Sequence, residues 1–177
     1  MFPLAGGNRL TRVMLETASR PAPARDRLQA HLREHGVCFT LRHHPPAFTS
    51  HQVAAAEHIP DERLAKAVVL VADGEPLLVV LPAAYQVHLG KLSVALRARE
   101  VHLAGEELLA RLFDDCEAGA IPPFGNLYGL EVFVDRTLAM REHLEFRAGT
   151  HTETIGMAYA DFARLTRPTV IDIGRHR

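Results

Sequence analysis

Only two of the chain's 20 basic residues are lysines, Lys66 and Lys91; every other fixed cation is an arginine. Where any positive charge would do, this sequence uses a guanidinium, so a retained lysine points to a need for a compact, titratable ammonium. Lys66 opens the run Ala65-Lys66-Ala67-Val68-Val69-Leu70-Val71-Ala72, which is apolar at alternating positions on both sides. An ammonium at the mouth of such a strand must find a partner, shift its pKa or extend its head group to water. The plain reading is a strand-end lysine reaching solvent, and the chemical one is an amine aimed into a site.

Other residues narrow the chemistry by elimination. No Ser lies in a G-x-S-x-G elbow, no G-x-x-x-x-G-K-[ST] phosphate loop is present, and no G-x-G-x-x-G follows a strand. The usual local signatures of serine hydrolases, nucleotide phosphotransferases and dinucleotide enzymes are therefore missing. His31-Leu32-Arg33-Glu34-His35 matches an H-x-x-E-H zinc pattern, but it sits on a short helix stopped by Gly36, with no evident third ligand. His43, His44 and His51 cluster in sequence without a carboxylate or cysteine at ligand spacing, which is weak evidence for a metal. No metal and no cofactor are expected. The segment Gly119-Ala120-Ile121-Pro122-Pro123-Phe124-Gly125 has a glycine at each end and two prolines that fix φ and remove amide hydrogens. Such a loop can hold backbone amides close to a carbonyl or an oxyanion, or it can simply join a helix to a strand.

The elements that must position these residues follow from periodicity. Leu28 and Leu32 mark a helix from Ala24 to the stop at Gly36, and residues 37–41 read as a strand. His43-His44-Pro45-Pro46 must be extended, because residues before proline avoid the helical region. Thr49 or Ser50 caps a short helix through Ala56. Residues 65–72 and 77–81 flank Asp73-Gly74 as a β-hairpin, with a first strand covered on both faces. Helices are expected at 87–96, carrying Lys91, and at 106–115, with Leu108, Leu109 and Leu112 on the buried side. Strands are expected at 101–103, 127–134, 144–148, 154–158 and 169–173, with a short helix within 136–143 and Asp161 capping another at 162–165. The class is a mixed α/β sheet with flanking helices.

With 177 residues and a net charge of −1, the chain has the size of one domain and no bulk charge for coating nucleic acid. Residues 1–24 read as a flexible arm with at most one helical turn near Val13 to Leu15, and residues 25–177 as a single domain. Cys38 and Cys116 lack C-x-x-C spacing, and no leading stretch resembles a signal peptide, so a reducing cytoplasm is expected. No apolar run approaches the roughly 18 residues of a membrane span.

Four motifs in order carry a resemblance: His43-x-Pro45-x-x-x-Thr49, Lys66 opening its strand, Gly119-x-x-Pro122-Pro123-Phe124-Gly125, and Ala148-Gly149-Thr150-His151. Together, over roughly residues 25–170, the chain resembles the YbaK and prolyl-tRNA-synthetase-associated domain family. That resemblance implies a mixed, strongly curved β-sheet surrounded by helices, and hydrolysis of the ester of misacylated aminoacyl-tRNA by a free-standing protein. It places the family's essential lysine on Lys66, its substrate loop on Gly119, Ala120, Ile121 and Pro122, and its pocket threonine on Thr49. His151 falls where some branches set a histidine beside the substrate; a hydrogen-bonded turn residue is the alternative. The partners implied are aminoacyl-tRNA and an aminoacyl-tRNA synthetase, and no membrane. Lys91, with Arg97 and Arg99 beyond it, marks either a tRNA contact or a solvated basic helix face. A non-catalytic module binding the same partners is the competing expectation.

Overall fold

In the computed structural model, which describes residues 22–176, Pro23 leads directly into helix α1 (Ala24–Glu34). The expected arm, with its turn near Val13 to Leu15, lies outside the described residues except for its last positions. Of these, Ala24 already belongs to α1 and is buried. Strand β1 (Phe39–His43) runs two residues later than the periodicity suggests, because Gly36 in a left-handed conformation first turns the chain. Helix α2 (Ser50–Glu57) starts with a full capping box: the Thr49 hydroxyl accepts from the Gln52 amide at 3.1 Å and the Gln52 side chain accepts from the Thr49 amide at 3.1 Å.

Strands β2 (Leu64–Ala72) and β3 (Glu75–Pro82) form the expected hairpin. Asp73 and Gly74 both take positive φ, 49° and 89°, which suits a two-residue turn between twisted strands. After β4 (Tyr85–Val87) and α3 (Leu89–Leu96) come β5 (Val101–Leu103) and α4 (Glu106–Leu112). A 3-10 helix (Gly125–Tyr128) then leads to β6 (Glu131–Asp135), α5 (Arg136–Ala139), β7 (His143–Arg147) and β8 (Glu153–Ala158). The chain closes with α6 (Tyr159–Thr166), β9 (Thr169–Ile171) and β10 (Gly174–His176).

Eight strands make one mixed sheet, ordered β1-β8-β7-β2-β3-β6-β9, with β5 pairing the far half of β2. β2 is its hub. Alternation along the hairpin sends Ala65, Val69, Leu78 and Val80 into the main core, with α1, α6 and the fully buried Phe124. Leu70, Leu77, Val79 and Leu81 face the other way, into a second core with Leu92 of α3 and Ile173. A third, small cluster packs Leu64 and Ala83 against Ala47, Val53 and Ala54 of the α2 region. Both faces of the hairpin are therefore covered, as its unbroken apolar pattern requires.

Four expectations need correction. Residues 127–130 are not strand: the 3-10 helix runs through Tyr128, Gly129 closes it at φ 70°, and β6 starts only at Glu131. Val87 does not begin the third helix; it ends the strand 85–87, which pairs with residues 174–176 as a separate two-stranded sheet, and α3 starts at Leu89 behind His88, whose ring accepts from the Lys91 amide. Asp161 caps nothing: α6 begins at Tyr159, which puts Asp161 in the first turn with Arg164 at 2.9 Å. Helix α4 ends at Leu112, and its leucines pack only at partial depth.

Candidate functional site

β2 has different neighbours along its length. It pairs with β7 only at Leu64↔Glu145 and Ala65↔Phe146, and with β5 only from Leu70 onward. In between, at residues 66–69, the loop bearing Gly119 and Ile121 comes alongside, and it joins Ala67, Val69, Leu109 and Phe113 around an apolar cavity of about 900 Å³. Lys66 opens this interval. Its side chain shares a face with Leu64, Val68 and Leu70, and its ammonium donates to the carbonyls of Ala83, at 3.2 Å, and Tyr85. The second carbonyl is set by the small sheet: Tyr85 pairs with His176, and the Tyr85 ring lies against Gly174, where a Cβ would meet it at 2.5 Å. Gly174 is in turn fixed by its amide on the buried Asp135 carboxylate, 2.6 Å away.

The parallel β2–β7 pairing ends at Ala65↔Phe146, one residue before Lys66 and Arg147. Leu144, Phe146 and Ala148 point into the main core, so Glu145 and Arg147 point to the face that Lys66 shares. Arg147 is buried and donates from Nη1 to the Gly119 carbonyl at 2.7 Å. One side chain thereby ties the strand beside Lys66 to the glycine loop. Burial lowers the Arg147 pKa, since removal from water disfavours its charge.

The remaining predicted segments are tied to the same end of the sheet. The His44 and Ala47 amides donate to the carbonyls of Thr152 and His151, each at 2.9 Å, which binds the His-Pro-Pro segment to the turn after Gly149. The Glu117 amide donates to the Gly149 carbonyl at 2.9 Å, and the Glu117 carboxylate accepts from the His151 amide at 2.6 Å. Phe48, 65% exposed, leans on the His151 ring with centroids 4.8 Å apart. Gly149 takes φ +94° and passes so close to α1 that a Cβ would meet that of Ala24 at 2.7 Å, so only glycine fits.

Within the loop, Gly119 has φ +81°, Ala120 and Pro122 are buried and Ile121 is half-buried. The Ala120 amide closes a turn on the Glu117 carbonyl at 2.9 Å, which leaves Gly119 and Ile121 as the better candidates for donors to a ligand. Thr49 stands at the start of α2, where its hydroxyl oxygen is the helix cap. Lys91 is elsewhere: it lies on α3, exposed, and pairs with Asp172 at 3.1 Å.

The histidines sort differently from their spacing. His31 and His35 stack with centroids 4.3 Å apart, and the His35 ring bonds the His31 carbonyl. His43 and His51 find carboxylates that the sequence does not place near them, Glu153 at 3.2 Å and Asp61 at 2.8 Å. Among the described residues no three His, Cys, Asp or Glu side chains are grouped to hold a metal ion. Cys116 borders the apolar cavity, but burial pushes its thiol up to about 12, which leaves little thiolate nucleophile near neutral pH.

Arg147, Glu117 and Phe48 are members of this site that sequence reasoning missed. Arg147 was within reach: it directly precedes Ala148-Gly149-Thr150-His151, and strand alternation assigns its face once Phe146 is taken as core.

The architecture is that of a mixed α/β domain whose loops converge at one end of the sheet. The model of the aminoacyl-tRNA editing domain matches residues 44–165, and the chain belongs to that family. Among solved structures, it is similar to a candidate trans-editing enzyme for prolyl-tRNA synthetase at 20% identity and a TM-score of 0.76, covering 88% of this chain and 99% of that one. A hypothetical protein matches at 18% identity and a TM-score of 0.76, covering 84% of this chain and 99% of that one. A candidate signal-transduction protein from Marinobacter aquaeolei VT8 matches at 20% identity and a TM-score of 0.66, with 83% of this chain aligned to 30% of that one. At these identities the likeness concerns the fold. No curated protein matches the chain. No helix among the described residues is long and apolar enough to cross a membrane.

Proposed function

We propose that this chain is a trans-acting hydrolase of misacylated aminoacyl-tRNA, cleaving the ester between amino acid and terminal ribose with Lys66 as its key residue. What supports the reading is membership of the editing-domain family, together with a cavity that the glycine loop shares with Ala67, the neighbour of Lys66, and the bonds that tie residues 44–47 and Glu117 to the turn around His151. The ester has a good leaving group in the ribose oxygen. The protein therefore needs mainly to hold the terminal adenosine, place a water and stabilise charge on the carbonyl oxygen. Water adds to the carbonyl carbon, the bond to the ribose oxygen breaks, and that oxygen takes up a proton as the amino acid leaves.

Lys66 is the cation for this step, either at the developing oxyanion or at the terminal phosphate, with its position fixed by the Ala83 and Tyr85 carbonyls. Amides of Gly119 and Ile121 add donors to the oxyanion, Ala120 and Pro122 shape the loop, and Thr49 and His151 line the substrate. The reaction uses no metal and no cofactor. The partners are aminoacyl-tRNA and, through it, an aminoacyl-tRNA synthetase in the cytoplasm.

One observation favours the competing reading of a non-catalytic aminoacyl-tRNA-binding or synthetase-binding module: the Lys66 ammonium already engages two main-chain carbonyls. Incubating the protein with a panel of mischarged tRNAs separates the two. The panel includes tRNA(Pro) bearing Ala or Cys and other tRNAs bearing Ser or Thr, with Lys66→Ala alongside. Release of amino acid by the wild type and not by the variant is expected, and no release from any member would establish the binding module instead.

A further inference from the structure

Arg147 is the buried cation that the reaction above leaves without a task. It is 7% exposed, and only Nη1 is engaged, by the Gly119 carbonyl at 2.7 Å. Nε and Nη2 are buried and meet no acceptor among the described residues, and no carboxylate there lies within ion-pair distance of the guanidinium. Burial of a charge without a counter-charge is strongly unfavourable. Lysine could relieve this by losing its proton, but a guanidinium stays charged.

The two unpartnered nitrogens are neighbours on one edge of the planar group, and they form the fork that accepts two oxygens of a phosphate or carboxylate side by side. Directly across the strand pair, Thr154 is 1% exposed, with its hydroxyl oxygen also buried and unpartnered. Residues paired in this way project from the same face of the sheet. On its other side β7 pairs with β2 as far as Phe146↔Ala65, the pair just before Arg147.

We propose that the Nε–Nη2 edge of Arg147, with the Thr154 hydroxyl beside it, is a binding site for a two-oxygen anion next to the glycine loop. The other edge of the same guanidinium holds Gly119, so an anion in the fork is mechanically linked to the loop that approaches the ester. If the chain is the deacylase proposed above, two anions are at hand: the phosphate of the terminal nucleotide and the carboxylate of the released amino acid. The site itself follows from the buried fork and does not depend on that reading. A single ordered water is the alternative occupant.

The test follows the side-chain Nε–Hε resonance of Arg147 in 15N-labelled full-length protein, assigned through its own backbone correlations. AMP, L-alanine and adenosine are titrated separately. A saturable Arg147 shift with AMP alone identifies the phosphate as the source, a shift with L-alanine alone identifies the carboxylate, and shifts with both show a fork that accepts either. Adenosine, which lacks an anion, is expected to leave the resonance in place. Arg147→Lys keeps the charge but loses the fork, and weakens the active titrant on the order of tenfold. If that variant does not fold, the wild-type titration still decides. No shift with either anion up to tens of millimolar overturns the proposal in favour of water, and so does an equal response to adenosine. Amino-acid release without an Arg147 shift removes the anion site and leaves the deacylase; a shift without release does the reverse.

Discussion

Glu145 and Arg147 lie two residues apart on β7, face the same side of the sheet and are both buried, yet their surroundings are opposite. Glu145 is neutralised twice over, by Arg42 at 3.1 Å and Arg63 at 3.3 Å, with Arg42 also reaching Glu57 of α2 at 3.4 Å. Arg147 has a carbonyl for one nitrogen and no acid among the described residues. The first arrangement is complete without a ligand and fastens β1, α2 and β7 together. The second is unfinished as a piece of structure, and it is the one bonded to the glycine loop. A buried charge that the fold does not neutralise is thus a better guide to a functional site than the presence of charges as such.

The comparison is most exposed at its two principal residues. Glu145→Ala takes one carboxylate from Arg63 and leaves Arg42 with Glu57, and both arginines are nearly half exposed and can turn to water. A loss of about 1–2 kcal/mol in denaturant unfolding is expected, below the range for fully buried pairs. Arg147→Met removes a charge that has no counter-ion and gives up the bond to Gly119, so its net effect is expected within about 1 kcal/mol of wild type. An equally large loss at both positions would erase the distinction between a structural and a functional end of the strand.

Thr49 tests where the boundary runs. Its hydroxyl oxygen is a helix cap, so Thr49→Ala should lower stability by about 1 kcal/mol, with Thr49→Ser close to wild type. If the threonine also meets substrate, deacylation by Thr49→Ala falls by more than the unfolded fraction explains, as a parallel activity and melting measurement would reveal. The smallest effect is expected at Lys91, whose exposed pair with Asp172 contributes less than about 1 kcal/mol. A role in tRNA binding predicts instead that Lys91→Ala lowers the salt-dependence slope of tRNA affinity by roughly one.

Much of this organisation is legible in the sequence. The hairpin, the Thr49 cap and the ordered motifs follow from local pattern, because turn chemistry, capping and alternation are written within a few residues of each other. The face of Arg147 follows from alternation, but its bond to the Gly119 carbonyl joins segments 28 residues apart, and no short-range signal encodes that. The β4–β10 pair escaped for a related reason. Each strand has three residues, and the pair is stabilised by Gly174 packing on Tyr85 and by the Asp135 carboxylate accepting from the Ile173 and Gly174 amides. Asp161 misled because an acidic residue in the first turn of a helix resembles a cap when the start is placed three residues late.

The central claim is that the end of the sheet carrying Lys66 cleaves the ester. It is tested most directly by single-turnover release of the amino acid from a tRNA labelled at its terminal adenosine. Wild type, Lys66→Ala and Glu145→Gln are to be compared on the panel member that the wild type clears fastest. A fall of about 10²–10³-fold for Lys66→Ala, the scale of a lost charge-stabilising donor, is expected at unchanged melting temperature. Glu145→Gln should stay within a factor of a few. Equal rates for wild type and Lys66→Ala would contradict the account.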